Sequence, residues 1–109
     1  MNTNTKIRNF GPGNNHKLII EKFACNSMVA YWLQSYDSII ALAIHRVGHG
    51  FYSLSLDGRT WDYSRTTAKH RNAFMDQFTP WAGNDTNSTA KRIGSGEIII
   101  ENLNEGGEA

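Results

Sequence analysis

Between Trp61 and Phe78 the chain reads WDYSRTTAKHRNAFMDQF. Arg59, Arg65, Lys69 and Arg71, together with His70, set cationic side chains around the rings of Trp61 and Tyr63. Cations hold phosphates, aromatic faces stack bases, and the unpaired N–H groups of a helix start accept a phosphate oxygen. Nucleic-acid binding is the chemistry this stretch suits best. Its candidate surface is Arg59, Trp61, Tyr63, Arg65, Thr66, Thr67, Lys69, His70 and Arg71. The plainer reading makes Thr67, His70 and Arg71 structural, tying a helix to the rest of the domain.

Other chemistries find less support. Ser64, His70 and Asp62 have the atom types of a nucleophilic constellation, but no strained elbow or glycine-rich oxyanion loop frames them. No catalytic residue is assigned, and the chain reads as a non-enzyme. His45 and His49 stand four apart across a presumed turn, without a Cys cluster, an HExxH pattern or a carboxylate pair to complete a metal site. The ten glycines match neither phosphate-binding fingerprint. No metal and no cofactor is expected.

The elements that must position these residues follow from local pattern. Ser64, Thr66 and Thr67 carry side-chain oxygens that can cap a first helical turn. At about 100° per residue, Thr67, Arg71, Phe74, Met75 and Phe78 share one side, while Arg65, Lys69, Asn72, Ala73 and Asp76 share the other. This predicts one main helix over 65–78 with Phe74 and Phe78 docked on a sheet. The inward stripe turns polar toward its start, at Thr67, His70 and Arg71. A buried guanidinium without partners costs several kcal/mol, so Arg71 must be bonded to carbonyls or a carboxylate, or border a cleft.

Upstream, HKLIIEKF (16–23) and MVAYWL (28–33) read as two antiparallel strands around a hairpin-sized break. SIIALAIHR (38–46) reads as a central strand covered on both faces, with a helix as the alternative. Between them, 34–37 is either a tight turn or a bulge in one bent strand. FYSLSL (51–56) alternates as a half-exposed strand, Asp57-Gly58 signals a turn, and Arg59–Tyr63 reads as a short fifth strand. Pro80 stops the helix. The polar stretch 82–96 reads as a loop, and Glu97–Leu103 as an edge strand whose Ile98, Ile99 and Ile100 pair within the domain or with a second copy of the chain. The expected architecture is an α+β domain over 16–103, a small antiparallel sheet of about five or six strands with one main helix on a face. Residues 1–15 read as a flexible lead-in and 104–109 as a frayed acidic tail.

The segments SYDSIIA (35–41) and WDYSRTTAKHRNAF (61–74) resemble two recurrent motifs of a family of small tailed-phage and prophage proteins of unknown function. Ser35, Tyr36, Tyr63, Ser64, Thr66, Thr67, His70 and Phe74 match as they stand, and Ser38 replaces a more usual Thr. The resemblance implies a phage origin and a shared fold, and leaves activity open.

The 109 residues, 39% hydrophobic, suit a modest single core. The formal net charge of +1 excludes a polyanion mimic and a strongly basic coat protein. Residues 1–56 carry five Lys/Arg against two Asp/Glu, and 57–109 carry six against eight. Cys25 stands alone, which excludes an intrachain disulfide and fits a reducing compartment. The longest apolar run, Ile39 to Ile44, is far short of the roughly 20 residues of a spanning helix. These features lead us to expect a cytoplasmic, phage-type accessory protein that binds nucleic acid. The alternative is a protein-binding inhibitor of a host factor or host defence system.

Overall fold

In the computed structural model, residues 3–11, 13, 15–23 and 27–104 are described. Five strands run up and down in sequence order: β1 (Thr3–Asn9), β2 (His16–Phe23), β3 (Met28–Ser35), β4 (Ser38–Arg46) and β5 (Gly50–Asp57). Each pairs antiparallel with its neighbour. Two helices follow, α1 (Arg65–Phe78) and α2 (Thr86–Ser95), before β6 (Ile99–Glu101) joins the far edge parallel to β5. The class is α+β, with a mixed six-stranded sheet.

Register explains where the core sits. Leu18, Leu33, Ala41 and Leu56 lie opposite one another across four strands, and Ile20, Tyr31, Ala43 and Leu54 form the next row. Because side chains alternate faces with period two, both rows point the same way. Phe74, Met75 and Phe78 of α1 close over them, with Ile98 and, from α2, Ile93. Leu18, Leu33, Leu54, Leu56, Phe74 and Met75 have no exposed surface. On the reverse face, Ile7, Ile19, Trp32 and Leu42 form a cross-strand row away from both helices.

Several expectations are corrected. The lead-in 1–15 contains β1, an edge strand whose single apolar residue is Ile7; its backbone, not its side chains, holds it on β2. Arg59–Tyr63 is a run of turns, because the Asp57 carboxylate accepts the N–H groups of Arg59 and Thr60 and bends the chain. The 82–96 loop contains α2, started by a capping box between Asp85 and Ser88 and ended by Gly96 in the left-handed conformation at φ 87°. The edge strand is shorter than Glu97–Leu103 and parallel. Both readings of 34–37 hold in part: Tyr36-Asp37 make a tight turn, and the register shifts between Leu33 and Gln34. Asn104, assigned to the frayed tail, bonds both the N–H (2.6 Å) and the carbonyl (2.9 Å) of Ile39. Cys25 and residues 105–109 lie outside the described residues.

Candidate functional site

Helix α1 starts at Ser64, whose hydroxyl accepts the Thr67 N–H at 3.1 Å. One turn on, Arg71 is completely buried. Its guanidinium donates to the Trp61 carbonyl at 2.7 Å and, at 2.9 Å each, to Asn72 Oδ1 and Thr86 Oγ1. Asp62 stands 3.7 Å away, and the Trp61 ring lies 5.3 Å from the guanidinium carbon. Burial lowers the pKa of Arg71, opposed by the charges of Asp62 and Asp85. Arg71 is thus a strut joining α1, the 58–64 turns and the start of α2. Arg71 faces inward, and Trp61 is half-buried against the core.

The other candidates separate. Arg65, Thr66 and Lys69 are exposed, Tyr63 is 77% exposed, and Thr67 is buried at 3%. Arg59 is exposed and already engaged. His70 turns from the helix toward β2. Phe74 and Phe78 belong to the core. The nine residues do not share one surface: Lys69 and His70 border one hollow, and Tyr63 and Thr67 another.

The first hollow, about 390 Å³, lies between β1 and α1 and is lined by Arg8, Phe10, Lys69, His70, Ala73 and Gln77 among others. Arg8 faces Leu18 and Lys6 faces Ile20 across the β1–β2 ladder, so both cations lie on the helix side of the sheet, as does Lys22 two residues beyond Ile20. Lys6, Ile20 and Lys22 line a neighbouring hollow. Among the described residues, Lys6, Arg8, Lys22 and Lys69 form no ion pair. Sequence reading missed three of these four cations, because only the pairing of β1 with β2 brings them beside the helix.

The second hollow, about 460 Å³, unites the two motifs: Ser35, Tyr36, Asp37 and Ser38 from the β3–β4 turn, Thr60, Tyr63, Ser64 and Thr67 from the approach to α1, and Ile40 as an apolar floor. Tyr36 is 61% exposed and sits at φ 54°, a left-handed backbone that a bulky residue adopts at a cost. The Asn15 carbonyl accepts its N–H at 2.7 Å, and Gln34 Nε2 donates to its carbonyl at 2.7 Å.

Between the hollows stands a pair of imidazoles. His16 and His70 stack with ring centroids 3.5 Å apart and planes 1° from parallel. His70 Nδ1 lies 2.8 Å from the Thr66 carbonyl, which can only accept, so this nitrogen carries a proton. His16 Nε2 is 3.0 Å from the Ser35 hydroxyl, and the His16 ring meets Tyr36 edge-on at 5.7 Å. Gly11 makes room for the stack: at its φ of 82°, a Cβ would come within 3.0 Å of His70 Nε2.

Burial, then the charge of His70, lowers the pKa of His16 below 6.5. Between that lowered value and 6.5 the unfolded chain binds a proton that the folded chain does not, so stability falls as pH drops through this window. The urea midpoint should decrease between about pH 7.5 and about pH 5.5, and His16→Asn should flatten that decrease. An unchanged pH profile in the variant would refute the assignment.

His45, considered for a metal site, has Nε2 2.6 Å from the Phe78 carbonyl at the end of α1. Among the described residues no three His, Cys, Asp or Glu side chains cluster as metal ligands. No helix of the described residues is long and apolar enough to cross a membrane.

A mixed sheet with both helices on one face, a basic groove on one side of α1 and a hydroxyl-lined cleft on the other define a small α+β domain with two hollows flanking α1. Over residues 5–99 the chain matches a family of unknown function, DUF8033, and it belongs to that family. No curated protein and no solved structure matches it.

Proposed function

We propose that this protein is a non-enzymatic accessory protein of a tailed phage or prophage, and that it binds nucleic acid along the groove between β1–β2 and α1. The phage assignment rests on the resemblance of its two motifs. The binding assignment rests on one observation: Lys6, Arg8, Lys22 and Lys69 border the same side of the molecule without carboxylate partners among the described residues. Cations spaced along a groove neutralise successive phosphates and release counterions. Arg65 and Thr66, exposed at the start of α1, extend the surface.

The test is fluorescence anisotropy with a labelled single-stranded 12-mer at rising salt. With four phosphates neutralised, log affinity should fall against log salt with a slope of about −3, and Arg8→Ala with Lys69→Ala should reduce the slope to about −1.5. Absence of binding at low salt, or a slope unaltered in the double variant, would overturn the reading. The competing class is a protein-binding inhibitor of a host factor or defence system, or self-association through β6. It is favoured by Ile99 and Ile100, 46% and 42% exposed on the outermost strand.

A further inference from the structure

We infer that the cleft between the β3–β4 turn and the start of α1 takes one unstacked nucleobase of a single strand, held between Tyr36 and Tyr63. This rests on the nucleic-acid reading above and names the part of the ligand that the groove itself does not recognise.

Tyr36 and Tyr63 both border the cleft and are 61% and 77% exposed, so two ring faces are offered to solvent at its mouth. Most aromatic rings of this chain instead pack on the core, Phe10, Phe51, Trp61 and Trp81 among them. Exposed rings beside a concave surface are stacking platforms, and they favour bases over extended aliphatic ligands. Tyr36 also holds a left-handed backbone conformation at φ 54° where glycine or asparagine would sit without strain. Its ring is what the turn gains in exchange.

Ser38 offers a hydroxyl beside the apolar floor of Ile40 and Asp37 is exposed next to it, while the hydroxyls of Thr60, Ser64 and Thr67 bond within the protein and form the polar wall. That set suits a flat ring with a hydrogen-bonding edge. A carboxylate disfavours phosphate in the cleft and favours an edge rich in N–H donors. Guanine presents two adjacent donors, N1–H and the N2 amine, whereas thymine presents one. The cleft therefore prefers guanine.

His70 lines the basic groove, stacks on His16, and His16 meets Tyr36 edge-on. The imidazole pair thus links the cations of the groove to Tyr36 at the cleft, so a backbone following Arg8 and Lys69 can turn one base across the histidines into the cleft. A duplex keeps its bases stacked and paired and cannot do this without unstacking.

The experiment compares a 12-mer of dT, the same strand with one central dG, and a 12-base-pair duplex, by anisotropy at fixed low salt. Expected are about fivefold or tighter binding of the dG strand than the dT strand, and weaker binding of the duplex. Tyr63→Ala and Tyr36→Gly, the latter compatible with φ 54°, should each weaken single-strand binding about tenfold while leaving the salt slope unaltered. Asp37→Asn should erase the dG preference. As an arm independent of the groove, guanosine monophosphate should shift the ring resonances of Tyr36 and Tyr63 in NMR spectra. Duplex binding as tight as single-strand binding, or Tyr variants with wild-type affinity, would overturn the inference while leaving the groove reading intact if Arg8→Ala and Lys69→Ala still weaken binding. Failure of every oligonucleotide to bind, with no Tyr shift, would overturn both.

Discussion

Arg71→Met is expected to destabilise the protein by about 3–5 kcal/mol, measured as a shift in the urea unfolding midpoint. Methionine fills much of the volume but offers no donor. The Trp61 carbonyl, Thr86 Oγ1 and Asn72 Oδ1 then lose the group that satisfies them, and because the three bonds share one guanidinium their sum falls short of three separate charge-assisted bonds. Asp62, about half exposed at 3.7 Å, adds little to that sum. Arg71→Lys retains the charge and loses the planar fork, so it should recover only part of the loss. A Met variant within about 1 kcal/mol of wild type would show that the strut is dispensable.

Asp57→Ala is expected to cost about 3 kcal/mol and to release the C-terminal strand. The Asp57 side chain is 1% exposed and accepts four hydrogen bonds, from Leu103 N at 2.9 Å, Arg59 N at 3.1 Å, Thr60 N at 3.1 Å and Thr60 Oγ1 at 2.9 Å. Burial alone would raise its pKa, but these bonds outweigh it and hold the carboxylate below 3.8. The folded state therefore binds this proton later than the unfolded chain. The contribution is complete above about pH 3.8 and is lost as pH falls through the folded value. Asp57→Asn should remove that acid limb from the stability profile and lose part of the bonding, since one side of an amide donates rather than accepts. Amide exchange at Ile99–Glu101 as slow in the Ala variant as in wild type would refute the anchoring role.

Much of this architecture is legible in local pattern, where patterns are strong. HKLIIEKF, MVAYWL, SIIALAIHR and FYSLSL each alternate or run apolar long enough to mark a strand, and all four are strands. Helix α1 begins and ends at Arg65 and Phe78 because Ser64 caps it and Thr79 leaves helical geometry before Pro80. What escaped is held by partners rather than by propensity. TNTKIRN has one apolar side chain and is a strand only because β2 offers an unpaired edge. TNSTAKRIGS contains poor helix formers; Asp85 and Ser88 were its one local signal, a reciprocal cap visible as D-x-x-S. The groove needed both the β1–β2 register and the helix placement. Its cations are scattered from Lys6 to Lys69, and no linear spacing reveals them as neighbours.

The strand order has a kinetic meaning. From β1 to β5 every partner is the next strand along, so each pairing closes a short loop and successive hairpins can accumulate one after another. β6 differs: Ser55 meets Ile99 across more than forty residues that contain both helices. Such a long-range parallel pairing is expected to form after the hairpins, as a clasp on a meander already in place. Asp57 and Asn104 rivet the segment just beyond β6, beside the bonds of Glu101 to Ser55 and Gly58.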